Sequence, residues 1–78
     1  MFIEIVTPDK NIYSGDILSG IFPGSDGSFG LQNNHAAMVA TLKEGQIKLV
    51  DSANVEQIFD VKGGVVEVHQ NKVIVLAE

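Results

Sequence analysis

The chain has 78 residues, a formal net charge of −5, five lysines, no arginine and no cysteine. This length suits one small domain spanning residues 1–78. The excess of acidic residues argues against binding to nucleic acid and against direct binding to an anionic membrane. Without cysteine, disulfide staples and thiolate zinc sites are excluded. No apolar run approaches the ~20 residues that span a bilayer, so we expect a soluble chain with no direct membrane insertion.

The first two predicted strands are separated by a turn. Ile3 and Ile5 alternate with Glu4, which is typical of a strand with one buried face. The proline in residues 7–11 predicts a turn. Residues 12–22 form a second apolar region that is interrupted by Ser14-Gly15-Asp16, so we expect a bent or bulged strand there.

A glycine-rich loop follows the second strand. Pro23-Gly24 ends the apolar run, and Gly27 and Gly30 allow positive φ where other residues would clash. Residues 29–32 alternate as a short strand would, and Asn33-Asn34 predicts a second turn. The segment 35–42 is apolar enough that we expect it to be buried.

The clearest alternation lies in residues 46–49 and 55–61, on either side of a turn at 51–54. Ile47 and Leu49 share one face of the first run, and Phe59 lies on the inward face of the second. These two runs are expected to pair as a β-hairpin, with Phe59 as a core anchor between the sheets.

The last part of the chain predicts two more strands joined by a turn at residues 70–71. Gly63-Gly64 begins the first, in which Val66 and Val68 share one face. Residues 73–77 are apolar on both faces, the pattern of a strand covered on two sides. Short strands at roughly 8–12-residue spacing, with no helical period, predict an all-β fold: a two-layer antiparallel β-sandwich.

No residue pattern indicates a catalytic, cofactor or metal site. The glycines at positions 24, 27 and 30 lack the spacing and the lysine of a phosphate loop. His35 is a lone candidate for a base, a ligand or an interface residue. Glu67 and His69 share a strand face without an apparent third metal ligand, and no Gly-x-Ser-x-Gly elbow is present. We therefore expect a non-catalytic interaction module that uses no cofactor and no metal.

Six short motifs are spread between residues 23 and 77: Pro23-Gly24, Asp26-Gly27-Ser28-Phe29-Gly30-Leu31, His35-Ala36-Ala37-Met38, Leu42-Lys43-Glu44-Gly45, Phe59 to Val68, and Asn71 to Ala77. Together they resemble the N-terminal β-sandwich domain of the epsilon subunit of rotary ATP synthases, called delta in mitochondria. Ala37 stands where that family usually has proline. The family's C-terminal helical hairpin has no counterpart in these 78 residues.

The resemblance implies a mechanical role. A chain of this family is a non-catalytic central-stalk subunit of a proton-translocating ATP synthase, which links the gamma subunit to the c-ring and couples ion flow to ATP synthesis. It would lie peripherally on the cytoplasmic face of the bacterial inner membrane. Because nucleotide sensing in the family belongs to the helical hairpin, these residues alone are expected neither to bind nor to hydrolyse ATP.

The resemblance also implies contacts, residue by residue. The residues that match the part of the motif facing the polar loops of the c-ring are Asp26, Gly27 and Ser28, with Phe29 beside them. His35 and Thr7 match positions that lie toward gamma. The family often has an acid where Ser28 stands, so a charged contact to the ring would be weaker here or carried by Asp26.

Two alternatives from other classes stay open. Lys10, next to Asp9 in a turn of a small acidic domain, is similar to the modified lysine of lipoyl carrier domains, although those lysines lie near mid-chain. The second alternative is a free-standing β-sandwich adaptor. An unmodified intact mass would exclude the carrier, and co-purification with a gamma-like coiled coil would exclude the free-standing adaptor.

Overall fold

A computed structural model describes residues 1–78 as eight β-strands without a helix. The strands in chain order are β1 Phe2–Val6, β2 Asn11–Phe22, β3 Phe29–Gln32, β4 Met38–Leu42, β5 Gly45–Asp51, β6 Glu56–Val61, β7 Gly64–His69 and β8 Lys72–Ala77. The predicted all-β fold is confirmed. The structure contains no helix with the length and hydrophobicity needed to cross a membrane.

Two sheets pack face to face and share β2. The first has the strand order β4-β7-β8-β1 and continues into the first half of β2; the second holds β3, the second half of β2, β5 and β6. Because one twelve-residue strand runs through both layers, the sandwich is curled. The predicted two-layer arrangement is confirmed, and six of the seven strand pairings are antiparallel. The exception is β1 with β8, whose parallel pairing the sequence did not predict.

The bend in β2 is confirmed, but it lies outside the predicted position. Ser14, Gly15 and Asp16 do not interrupt the strand, since they pair in regular register with β1. The register with β5 shifts between Ile17 and Ser19, which leaves Leu18 exposed. This irregularity turns β2 from one layer into the other, as bulges commonly do.

The predicted hairpin of β5 and β6 is confirmed, with Ile47 opposite Phe59. Phe59 faces inward but is only half-buried, and its ring lies 5.1 Å from that of Tyr13 in the other sheet. The prediction that Phe59 anchors the core is therefore too strong. Phe22 holds that position, because it is fully buried.

Two apolar segments are less covered than predicted. In residues 35–42 only Leu42 is buried, and Val39 is 71% exposed because its side chain lies on the outer face of β4. In β8 the side chains of Val73, Val75 and Ala77 face the core, whereas Leu76 is 51% exposed. Only one face of β8 is covered, so the prediction of a strand covered on two sides is wrong.

The core is wholly apolar. Fifteen buried hydrophobic residues form one cluster between the sheets, and no polar or charged residue is buried. Every buried side chain therefore contributes to the hydrophobic stabilisation without a desolvation cost for polar groups. The polar side chains all lie on the outer faces, turns and edges, where a partner would meet them.

Candidate partner-binding surfaces

The loop between β2 and β3 contains a tight turn that presents two polar side chains. The carbonyl oxygen of Gly24 accepts a hydrogen bond of 3.0 Å from the amide of Gly27, and Gly27 has a φ of 131°. Asp26 and Ser28 are exposed on this turn. We call residues 24–28 the glycine turn; its shape is set by backbone hydrogen bonding and by a φ that favours glycine.

The glycine turn is docked against β4. The amide of Ser25 donates to the carbonyl oxygen of Thr41 at 2.9 Å, and the Thr41 hydroxyl donates to Ser25 Oγ at 2.9 Å. A backbone bridge joins Gly24 to Leu42, and the amide of Lys43 donates to Pro23. These contacts cover the carboxyl-terminal half of the β4 edge, so the glycine turn is held as a fixed surface feature.

Phe29 supports the glycine turn from inside the molecule. Its ring is half-buried and stacks on Phe22, with ring centroids 5.5 Å apart and an angle of 18° between the planes. Such a pair adds stabilisation beyond the area that it buries. Four residues were predicted at the contact with the c-ring. Of these, Asp26 and Ser28 offer exposed side chains, and Phe29 anchors the loop that carries them.

His35 lies in the connection between β3 and β4. It is exposed; its amide donates to the carbonyl oxygen of Gln32 at 3.2 Å, and its Nδ1 lies 2.9 Å from the carbonyl oxygen of Ala36. The side chain borders a shallow groove that also contains Ser19 and Ile21. His35 is therefore available to a partner, with an apolar surface next to it.

Thr7 is used within its own turn. Its hydroxyl oxygen accepts hydrogen bonds from the amides of Asp9 at 3.3 Å and Lys10 at 3.2 Å, and its own amide donates to the carbonyl oxygen of Lys10 at 2.9 Å. The side chain is half-buried. These bonds shape the connection between β1 and β2, as threonine commonly does in turns.

The structure separates the predicted residues into two groups at opposite ends of the first sheet. Thr7 directly follows Val6, which pairs with Leu76 of β8. Across the sheet, Leu76 is aligned through β7 with Thr41 of β4, which lies beside the glycine turn. His35 lies at the other end, next to the turn between β7 and β8. The glycine turn and Thr7 thus share one end, and the structure does not bring Thr7 and His35 together.

Glu67 and His69 face solvent on β7, as the alternation predicted. Val39 of β4 and Ile74 of β8 lie opposite Glu67, and Lys72 lies opposite His69. No group of three or more His, Cys, Asp or Glu side chains that could hold a metal ion is present. The one salt bridge of the chain, Lys72 to Glu4 at 3.1 Å, is a partly exposed surface pair, which is expected to contribute little to stability.

Sequence reasoning missed how the loop that carries His35 is fixed. It assigned Asn33-Asn34 and Gln70-Asn71 to two separate turns, but the Asn34 amide donates to Asn71 Oδ1 at 2.7 Å. The α-ammonium of Met1 donates to Asn33 Oδ1, also at 2.7 Å. Turn propensity describes local backbone geometry only, so it gave no signal for contacts between residues more than thirty positions apart.

Comparison with known proteins identifies one family. The model of the β-sandwich domain of ATP synthase delta/epsilon chains matches residues 1–78. The chain is similar to the ATP synthase epsilon chain of Chlorobium limicola, with 43% identity over 97% of this chain and 86% of that one. It is 37% identical to the epsilon chain of Dichelobacter nodosus and 36% identical to that of Campylobacter curvus, but it spans only 53% and 60% of their lengths.

Two solved structures share the fold. A chain of the Tetrahymena thermophila mitochondrial ATP synthase central stalk and c-ring structure superposes with a TM-score of 0.80 at 25% identity, covering 99% of this chain and 62% of that one. A chain of the Euglena gracilis mitochondrial ATP synthase structure gives a TM-score of 0.87 at 15% identity, covering 96% and 48%. At that lower identity the likeness concerns the fold alone.

Proposed function

The chain belongs to the family of ATP synthase delta/epsilon chains, whose β-sandwich domain it matches from end to end, and we propose that it links the gamma subunit to the c-ring within the central stalk. In that place it couples ion flow to ATP synthesis as a non-catalytic subunit. The observation that carries this proposal is the family match over residues 1–78. It also favours this role over the lipoyl carrier and the free-standing adaptor.

The two ends of the first sheet suit two different partners. The glycine turn offers Asp26 and Ser28 at one end, and His35 is exposed at the other. We assign the glycine turn to the polar loops of the c-ring and His35 to gamma. The assignment of Thr7 to gamma rests on the family resemblance alone, because Thr7 lies at the same end as the glycine turn and its hydroxyl is engaged within its own turn.

The proposed contact with the c-ring would also determine where the chain is located. A chain with a net charge of −5 gains nothing from an anionic lipid surface. Its attachment to the cytoplasmic face of the bacterial inner membrane is therefore proposed to run through the c-ring and gamma. An intact mass without a lysine adduct on the purified chain would further separate this role from that of a carrier.

The test of this function is binding to the gamma subunit of the same organism. His35→Glu places a negative charge at the proposed gamma contact, and we expect its affinity for gamma to fall at least about tenfold with a melting temperature close to that of the parent. Ser28→Glu is the matched control, since it adds the same charge at the glycine turn and should leave gamma binding unchanged. Failure of the parent chain to bind gamma would refute the proposed function.

A further inference from the structure

The loop of residues 33–37 is tied to the body of the sandwich at two successive residues. Asn71 Oδ1 accepts a hydrogen bond of 2.7 Å from the Asn34 amide, and the carbonyl oxygen of Asn71 accepts one of 3.2 Å from Phe2. Asn33 Oδ1 accepts a bond of 2.7 Å from the α-ammonium of Met1. The bond from Met1 to Asn33 is a strong one, because its donor is charged.

Both tethers come from neighbouring parts of the first sheet. Met1 is only 8% exposed because its side chain belongs to the core, and Phe2 lies opposite Lys72 at the start of β8. Asn71 is the second residue of the two-residue turn between His69 and Lys72. The 33–37 loop therefore rests on rigid strands, although it has no buried side chain of its own.

The tethers hold the loop immediately before its exposed part. Residues 35–37 follow Asn34 directly and are all exposed. A loop that is already ordered loses less conformational entropy when a partner binds, so the tethers raise the affinity of whatever His35 contacts. We propose that Asn71 is a positioning residue for gamma binding, which acts by holding the 33–37 loop in its binding conformation; this rests on the proposed contact of His35 with gamma.

The turn by itself does not require asparagine at position 71. Gln70 and Asn71 both have positive φ, 49° and 61°, and in a two-residue turn of this kind glycine is the most favoured second residue. The side chain of Asn71 is therefore separable from the backbone of its turn. Asn54 gives a comparison, since it has a φ of 64° in the turn between β5 and β6, and its side chain makes no hydrogen bond.

Three variants of the whole chain isolate the side-chain contact. Asn71→Gly keeps the positive φ and removes the acceptor for the Asn34 amide, whereas Asn71→Asp keeps an acceptor oxygen at the same place. Asn54→Gly is the matched control, because it makes the same substitution at nearly the same φ in a turn whose asparagine side chain makes no tether. The measurements are amide hydrogen exchange at Asn34 and His35, and affinity for gamma.

We expect Asn71→Gly to speed amide exchange at Asn34 by about fivefold, because the loss of one hydrogen bond makes local opening of the loop more frequent by about that factor. Its affinity for gamma should fall by a similar factor, while Asn71→Asp and Asn54→Gly behave as the parent does. Unchanged exchange at Asn34 in Asn71→Gly would overturn the inference. The inference would also be overturned if Asn71→Gly speeds exchange at Asn34 but leaves the affinity for gamma unchanged, while His35→Glu still weakens binding to gamma. In that case the proposed function would stand. A parent chain that does not bind gamma overturns both.

Discussion

The rings of Phe22 and Phe59 differ in how far the sandwich encloses them. Phe22 is fully buried, and Phe59 is half-buried beside Tyr13. We expect Phe22→Ala to lower the free energy of unfolding by about 3–5 kcal/mol and Phe59→Ala by about 2 kcal/mol, because a half-buried ring loses less contact and leaves a smaller cavity. Urea denaturation of the two variants measures both values. An equal or larger cost at Phe59 would contradict this placement.

Asp51 gives the chain a defined dependence of stability on pH. Its carboxylate accepts hydrogen bonds from the amide of Val55, the side chain of Gln57 and the amide of Ala53, and these lower its pKa below the ordinary 3.8. Hydrogen bonds to the ionised form have this effect. Asp51 therefore contributes stability that is complete above the unfolded-state pKa and is lost as pH falls through the folded-state pKa.

The test of this dependence compares the parent with Asp51→Asn, which keeps the acceptor oxygen without the charge. We expect the parent's advantage in unfolding free energy to be constant from about pH 7 to pH 5 and to shrink below about pH 4. Urea denaturation at several pH values measures it. An advantage that stays constant down to about pH 2 would show that the carboxylate gains nothing from these bonds.

The start of β7, where it pairs with the end of β8, depends on Gly64. Its φ is 144°, and a Cβ there would collide with the carbonyl oxygen of Leu76 on the paired strand. Gly27 has a similar φ of 131° but open space around it. We expect Gly27→Ala to cost about 1–3 kcal/mol from backbone strain alone, and Gly64→Ala to cost clearly more. Thermal melts of the two variants make the comparison, and equal losses would show that the collision relaxes freely.

Alternation along the chain predicted much of the element structure. It predicted the hairpin of β5 with β6 and the inward valines of β7, because both follow from local period and turn chemistry. It predicted a bulge in β2 but placed it at residues 14–16, whereas the register shifts between Ile17 and Ser19. It could not predict the parallel pairing of β1 with β8, since strand partners are chosen over the whole chain. The apolar composition of β8 wrongly predicted a strand covered on both faces, since Leu76 faces solvent.

The candidate surfaces were predictable to a different extent. The motif match predicted the exposed residues Asp26 and His35 by position. It did not predict that Phe29 is half-buried, nor that Thr7 and the glycine turn share one end of a sheet. The tether from Asn71 to Asn34 spans 37 residues and carries no sequence signature. Long-range contacts of this kind depend on the assembled fold, which local patterns do not encode.

The whole molecule has the properties that a mechanical joint needs. Its layers are connected at one side by the continuous β2 and at the other by the bridge between Gly24 and Leu42. A wholly apolar, closely packed core resists deformation. The two proposed contacts lie at opposite ends of the same sheet, so a force applied at one is transmitted along strands to the other.

The most direct test of the proposed function is proton-driven ATP synthesis in vesicles that hold an ATP synthase depleted of its own epsilon chain. We expect the parent chain to restore synthesis and Asp26→Lys to restore much less, because the reversed charge would lie at the proposed contact with the c-ring. Glu56→Lys makes the same charge change on β6 and should restore synthesis as the parent does. No restoration by the parent, or full restoration by Asp26→Lys, would contradict the proposed role at the ring.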